Sequence, residues 1–263
     1  MTLVMGVLNV TPDSFSDGGC WFDHDRAVAR GREMVAQGAD IIDVGGESTR
    51  PGANAVSEEE EQRRILPVVA ALAPTVRISV DTRKAKVAES AIAAGATLIN
   101  DVSASLWPVA AAAGVGWVAM HMSGDPRTMQ VRPRYDDVMA EVSDFLAERA
   151  GAAEAGGVSE VWVDPGIGFG KTTAHNLQLL RNLDRLVAGG RPVVVGTSRK
   201  SFLGRLAAGP GEPPAPVEER LAGSLASAVW AMARGVAMVR VHDVAETVQA
   251  VRLMRADNET AAA

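Results

Sequence analysis

Residues 76–121 read VRISVDTRKAKVAESAIAAGATLINDVSASLWPVAAAAGVGWVAMH. Three short apolar runs lie in this stretch, at 76–80, 97–99 and 115–120, and the segments between them are rich in Ala, a strong helix former. Runs this short and this apolar read as strands buried on both faces. Strands of that kind, each followed by a helix, make a parallel sheet covered by helices. Working outward, the same rhythm returns at 3–8, 41–44, 161–163, 193–195 and 236–241, which brings the strand candidates to eight. Helix-like segments at 25–37, 57–72, 135–155 and 221–234 fall between them, and Ser57 with Glu60 spells a capping box at the start of one. Eight strand-helix units predict an α/β fold closed into a (β/α)8 TIM barrel. A doubly wound open sheet is the structural alternative.

The runs end in polar residues: Asn9, Asp43, Asp81, Asn100, His121, Asp164, Ser198 with Lys200, and Arg240 with His242. Any one of these alone reads as a turn residue. In a barrel, however, the C-terminal ends of the strands converge on one rim, so eight together would line a single mouth. Two connections after strands are long for such a fold, NVTPDSFSDGGCW at 9–21 and GGESTRPGANAV at 45–56. Long loops on a barrel's active rim are commonly lids or ligand clamps. A third stretch, GPGEPPAP at 209–216, has no group suited to chemistry and reads as a flexible surface connection.

The 263 residues suit one domain of this kind spanning 1–263. Hydrophobic residues are 47% and charged residues 22%, the balance of a soluble chain that folds alone. A net charge of −6 argues against a nucleic-acid partner, whose phosphates need clustered Lys and Arg. Cys20 is the only cysteine, so an internal disulfide and a Cys-based zinc site are both excluded. No apolar run reaches the ~18 residues of a membrane span, and no leader pattern precedes residue 3, so the expectation is a cytoplasmic protein without a membrane partner.

Eight motifs in order resemble the dihydropteroate synthases: GVLNVTPDSFSDGG from Gly6, DVGGESTRPGA from Asp43, SVDT from Ser79, IND from Ile99, MHM from Met120, DPGIGFGK from Asp164, SRKSF from Ser198 and RVHDV from Arg240. One such motif alone would carry nothing; the ordered set is specific. The resemblance implies a barrel, usually a homodimer, that joins 6-hydroxymethyl-7,8-dihydropterin diphosphate to p-aminobenzoate and releases diphosphate, with Mg²⁺. The unit from Asn100 to His121 looks several residues shorter than the family's, and the stretch at 209 looks longer.

The residue types suit that chemistry. A pterin presents N–H donors beside acceptors; a carboxylate accepts two parallel N–H bonds, and an amide both donates and accepts. The resemblance assigns these roles to Asp164 and Asn100, with Asp81 near them, Lys200 donating to the ring, and Arg240 stacking on it. It places Asn9 on Mg²⁺ and Arg50, Arg240 and His242 with Asn9 around the diphosphate. It gives the p-aminobenzoate slot to Thr49, Arg50, Pro51, Phe169 and Lys200, with Ser201 and its helix start at the carboxylate. An aromatic amine is neutral at pH 7 and needs no strong base. The expected step is therefore SN1-like, with Asp81, Asp164 and Lys200 as the catalytic set. No insertion enlarges the slot beside GIGFGK, so sulfonamide sensitivity is expected.

Other residues are assigned bland roles. His24, His121 and His175 share no metal-ligand spacing and read as surface, rim or packing residues. The run from Glu58 to Glu61 reads as a solvated helix start. Cys20 reads as a free thiol and the methionines as core filler. Two rival functions are a methyltetrahydrofolate:corrinoid methyltransferase, which has no use for the diphosphate motifs, and a non-catalytic paralogue, in which those motifs would have decayed.

Overall fold

The structure, a computed structural model, describes residues 2–11, 24–48, 55–124 and 128–261. Eight parallel strands alternate with helices: β1 Leu3–Asn9, β2 Ile41–Gly45, β3 Arg77–Asp81, β4 Leu98–Asp101, β5 Gly116–Met120, β6 Val161–Asp164, β7 Val194–Val195 and β8 Met238–Val241. The helices are α1 His24–Ala36, α2 Glu58–Leu72, α3 Ala85–Ala93, α4 Trp107–Ala113, α5 Val138–Ala155, α6 Thr173–Arg181, α7 Leu183–Val187, α8 Ser201–Ala207, α9 Leu221–Met232 and α10 Val244–Ala261. The strands follow one another as neighbours from β1 to β6, and β8 joins β1 to β7. A parallel bridge between Val163 and Val193 then brings β6 against β7 and closes the barrel. The closed arrangement thus replaces the open-sheet alternative.

Successive side chains on a strand point to opposite faces. One face of each strand enters a large core beneath the helices, including Val4, Ile42, Ile78, Ile99, Trp117, Val163 and Val195. The other face fills the barrel. Met5, Ile41, Leu98, Val118, Trp162, Val194 and Met238 form a separate apolar cluster there. Two residues further along the same faces stand Val7, Asp43, Asn100, Met120, Asp164, Gly196 and Arg240. The period of two therefore stacks a polar layer on an apolar plug, and the next step reaches Asn9 and His242 at the rim.

The strand and helix ends shift by a few residues from the sequence-based ones, for local reasons. The helix expected from residue 135 starts at Val138, because the Asp137 carboxylate accepts from Met139 N at 2.9 Å and Ala140 N at 3.0 Å and caps it. Ser57 caps α2 through Glu60 N at 3.2 Å, but the reciprocal half of the expected box is absent: the Glu60 carboxylate is engaged by Arg63 and Arg64 instead. A complete box forms at Thr172 and His175.

The short fourth unit is organised by one carboxylate. Asp101 accepts from Ser103 N at 2.8 Å, Ser105 N at 2.7 Å, Leu106 N at 2.6 Å and the Trp117 indole at 3.1 Å, and the helix that follows has only seven residues. The 209–216 connection is exposed yet tied back, with Ala215 N on Gly204 O at 3.0 Å and Gly209 N on Glu212 at 3.0 Å. Among the described residues no helix is long and apolar enough to cross a membrane.

Candidate active site

The centre of the polar layer is a guanidinium held by two carboxylates. Arg240 on β8 donates from Nε to Asp43 Oδ2 at 2.6 Å and from Nη2 to Asp81 Oδ2 at 2.6 Å. Asn100 on β4 donates to the same Asp43 oxygen at 3.0 Å. Burial by itself would lower the arginine's affinity for its proton, but Asp43 and Asp81 outweigh it and hold the charge in place. Burial pushes the Asp81 carboxyl above the usual range; Arg240 opposes that shift and Asp43 reinforces it. Asp43 is fully buried and was legible only as a polar strand end. It is the piece that orients both Arg240 and Asn100.

Across the mouth, β6 delivers Asp164, whose Oδ1 accepts from Gly166 N at 2.7 Å. Burial raises its carboxyl pKa, with Lys200 acting against the rise. The turn that follows is built on glycine: Gly166, Gly168 and Gly170 have φ of 64°, 84° and 62°. A Cβ on Gly166 would lie 1.8 Å from the His121 carbonyl oxygen. Gly166→Ala is therefore expected to cost at least about 2 kcal/mol, from the left-handed backbone and the overlap together, read as a lowered urea midpoint. An unchanged midpoint would mean the turn is not packed against His121.

Lys200 crosses the mouth from the β7 side. Its ammonium donates to the Ile167 carbonyl and stands 4.7 Å from the centre of the Phe169 ring. Burial draws its pKa down to about 8, with Asp164 holding it up in part. Arg240 and Asp81 also act on it, so the sequence-derived set Asp81, Asp164, Lys200 and Arg240 shares one electrostatic space. Beneath the turn, Lys171 is 3% exposed, and its Nζ lies 2.9 Å from His121 Nδ1. Burial lowers its pKa to about 7, and burial with the charge of Lys171 lowers that of His121 to about 3. His121 is thus a neutral packing partner, as its lack of ligand spacing implied.

On the rim, Ser198 Oγ accepts from His242 N at 3.2 Å and lies 3.0 Å from its Nδ1, which sets the imidazole over the end of β8. Arg199, with φ 59°, pairs with Asp243 and is pinned through its N–H to Ser224 Oγ at 2.9 Å. Ser201 opens α8 in an exposed position, with Arg205 donating to its hydroxyl at 3.3 Å. Asn9 ends β1 beside Gly45. Thr49, Arg50, Pro51 and Cys20 lie outside the described residues.

The acidic run at 58–61 requires a correction. Glu61 is only 1% exposed, and Lys84 donates to it at 2.6 Å, to Val56 O at 2.6 Å and to Glu47. Burial would lower the lysine's pKa, but the two carboxylates raise it. The run is therefore not simply solvated: Lys84 gathers Glu47 and Val56, near the two ends of the second long connection, onto α2. Its sequence signal was weak, because the lysine is 23 residues from Glu61.

Among the described residues no group of three or more His, Cys, Asp or Glu could hold a metal. Asn9, at the end of β1, carries a hard amide oxygen of the kind that Mg²⁺ accepts beside water and phosphate oxygens.

The profile of the pterin binding enzyme family matches residues 5–242. The dihydropteroate synthase of Escherichia coli K12 is 48% identical over 262 residues, covering 96% of this chain and 90% of that protein. The Xanthomonas albilineans dihydropteroate synthase, solved with 4-aminobenzoic acid, superposes with TM-score 0.89 at 48% identity, over 98% of this chain and 93% of that one. The Yersinia pestis dihydropteroate synthase, solved with a sulfonamide drug, gives TM-score 0.90 at 45% identity, over 98% and 94%. By identity, coverage and fold together, the chain belongs to the dihydropteroate synthases of the pterin binding enzyme family.

Proposed function

We propose that the mouth of this barrel condenses 6-hydroxymethyl-7,8-dihydropterin diphosphate with p-aminobenzoate, giving 7,8-dihydropteroate and diphosphate in folate biosynthesis. The observation that carries the proposal is the convergence of Asp164, Asn100 and Lys200 with an arginine clamped between Asp43 and Asp81. Asp164 accepts the paired N–H groups of the pterin, Asn100 completes its edge, and Lys200 donates to the ring acceptors. Arg240, fixed by its two carboxylates, offers its remaining guanidinium face to the ring and its charge toward the diphosphate, which His242, Asn9 and Arg50 also meet.

The exocyclic C–O bond breaks with both electrons leaving on the diphosphate. The electron-rich dihydropterin ring shares the positive charge, and Asp81 and Asp164 stabilise it electrostatically. The neutral amine of p-aminobenzoate then forms the C–N bond and releases a proton. Thr49, Arg50, Pro51, Phe169 and the Lys200 stem make its slot, and Ser201 with the start of α8 faces its carboxylate. The Asn9 carbonyl would hold Mg²⁺, which would supply positive charge to offset that on the departing diphosphate. Sulfonamides, as p-aminobenzoate analogues, compete for the same slot. The same reading takes 1–263 as one pterin-binding domain that works as a homodimer in the cytoplasm, on the family resemblance.

The test is direct. Purified protein with Mg²⁺, the pterin diphosphate and p-aminobenzoate is expected to yield dihydropteroate and diphosphate in equal amounts. Absence of product above background would reassign the chain as a non-catalytic paralogue.

A further inference from the structure

In the turn from Gly166 to Gly170, every one of five successive carbonyls accepts from a side chain. Lys171 donates to Gly166 O at 3.1 Å and Phe169 O at 3.0 Å, Lys200 to Ile167 O, Gln130 to Gly168 O at 2.6 Å, and Tyr135 to Gly170 O at 3.0 Å. The amides are held too: Gly168 N donates to the buried Asn176 Oδ1 at 2.8 Å, and Phe169 N to Gly166 O at 3.0 Å. A segment with three left-handed glycines has much conformational freedom to lose. So many directed donors on so few residues leave it a single shape.

Two of those donors, Gln130 and Tyr135, come from the connection between β5 and α5, outside the groups assigned to chemistry. Lys171 adds a third from below, wedged among carbonyls and the His121 ring. What the turn presents to the mouth is the Phe169 ring and the Ile167 carbonyl, the two features against which the Lys200 ammonium rests.

The geometry points to Lys171, Gln130 and Tyr135 as positioning residues that brace the Gly166–Gly170 turn and thereby set the Phe169 ring for p-aminobenzoate. This rests on the reading that Phe169 and Lys200 line the p-aminobenzoate slot. The part of the brace supplied by Gln130 and Tyr135 holds Gly168 O and Gly170 O, on either side of Phe169, whereas Asp164 and Lys200, which the pterin also uses, meet the turn at Gly166 N and Ile167 O, and the other pterin groups are carried by β2, β3, β4 and β8. Weakening it should therefore separate the two substrates. A merely structural role would lower both affinities and stability together.

The experiment is steady-state kinetics on Gln130→Ala, Tyr135→Phe and Lys171→Met, with Phe169→Ala as reference and calorimetry of 6-hydroxymethylpterin binding in parallel. Gln130 is exposed, so its variant keeps the fold even if Lys171→Met does not. Gln130→Ala and Tyr135→Phe are expected to raise KM for p-aminobenzoate about threefold to tenfold, the effect of one lost neutral hydrogen bond, with kcat and pterin affinity within about twofold. Lys171→Met, which removes two contacts to the turn's carbonyls and one to His121 O, should raise KM by more than tenfold. The brace is overturned if Phe169→Ala raises KM while Gln130→Ala and Tyr135→Phe leave it unchanged, or if pterin affinity falls in step with it. If Phe169→Ala itself leaves KM unchanged, the slot assignment fails and the brace falls with it.

Discussion

Arg240→Met is expected to remove detectable turnover and to lower the free energy of unfolding by about 3–5 kcal/mol near pH 8, the usual cost of leaving buried charge without its partner. The two carboxylates that now take Nε and Nη2 at 2.6 Å would face each other across an apolar stem. Asp81 would respond by binding a proton more readily. Burial already raises the Asp81 carboxyl with Arg240 pulling the other way, so losing the arginine raises it further. A carboxyl whose folded pKa exceeds its unfolded value contributes stability that is complete below the unfolded pKa and lost as pH rises through the folded one. The deficit of the variant should therefore be smaller near pH 5 than near pH 8. Urea unfolding at both values reads it, and equal deficits would mean that Arg240 acts through packing alone.

Asp164→Ala should weaken pterin binding at least tenfold, since each charge-assisted hydrogen bond is worth about 1.5–3 kcal/mol in a desolvated site. The same substitution strips Lys200 of the carboxylate that holds its pKa up, so the lysine should lose its proton more readily and donate less strongly. Asp164→Asn keeps an acceptor for Gly166 N and should fall between the two. Calorimetry with a pterin decides the matter. Affinity within twofold of the native protein in Asp164→Ala would remove this residue from the site.

The barrel and the location of its mouth were readable because a period of two writes them directly: an apolar residue, then a polar one two positions later, on strand after strand. Ile41 and Asp43, Leu98 and Asn100, Trp162 and Asp164, and Met238 and Arg240 are such pairs. What that period does not contain is who faces whom across the barrel. Asp43 reads as one more polar strand end until closure sets it against Arg240, 197 residues away. Glu61 reads as solvent-facing for the same reason, because its burial depends on Lys84 arriving from another unit. Lys171 stood in plain view at the end of GIGFGK, but a lysine among carbonyls has no spacing signature. A smaller difference of the same kind lies at Glu60, where two arginines on the same helix outcompete the cap for its carboxylate.

The joint between β6 and β7 is the thinnest seam in the cylinder, a single bridge where the other strand pairs are matched over two to five residues. Asp164 stands on one lip of that seam and Lys200 follows the strand on the other. A ring that engages both would stitch the seam shut as well as occupy the mouth. By mass action, whatever free energy separates open from closed lips is then drawn from the ligand's own affinity. An empty barrel and a filled one would differ less in the position of their strands than in how readily this one edge comes unzipped.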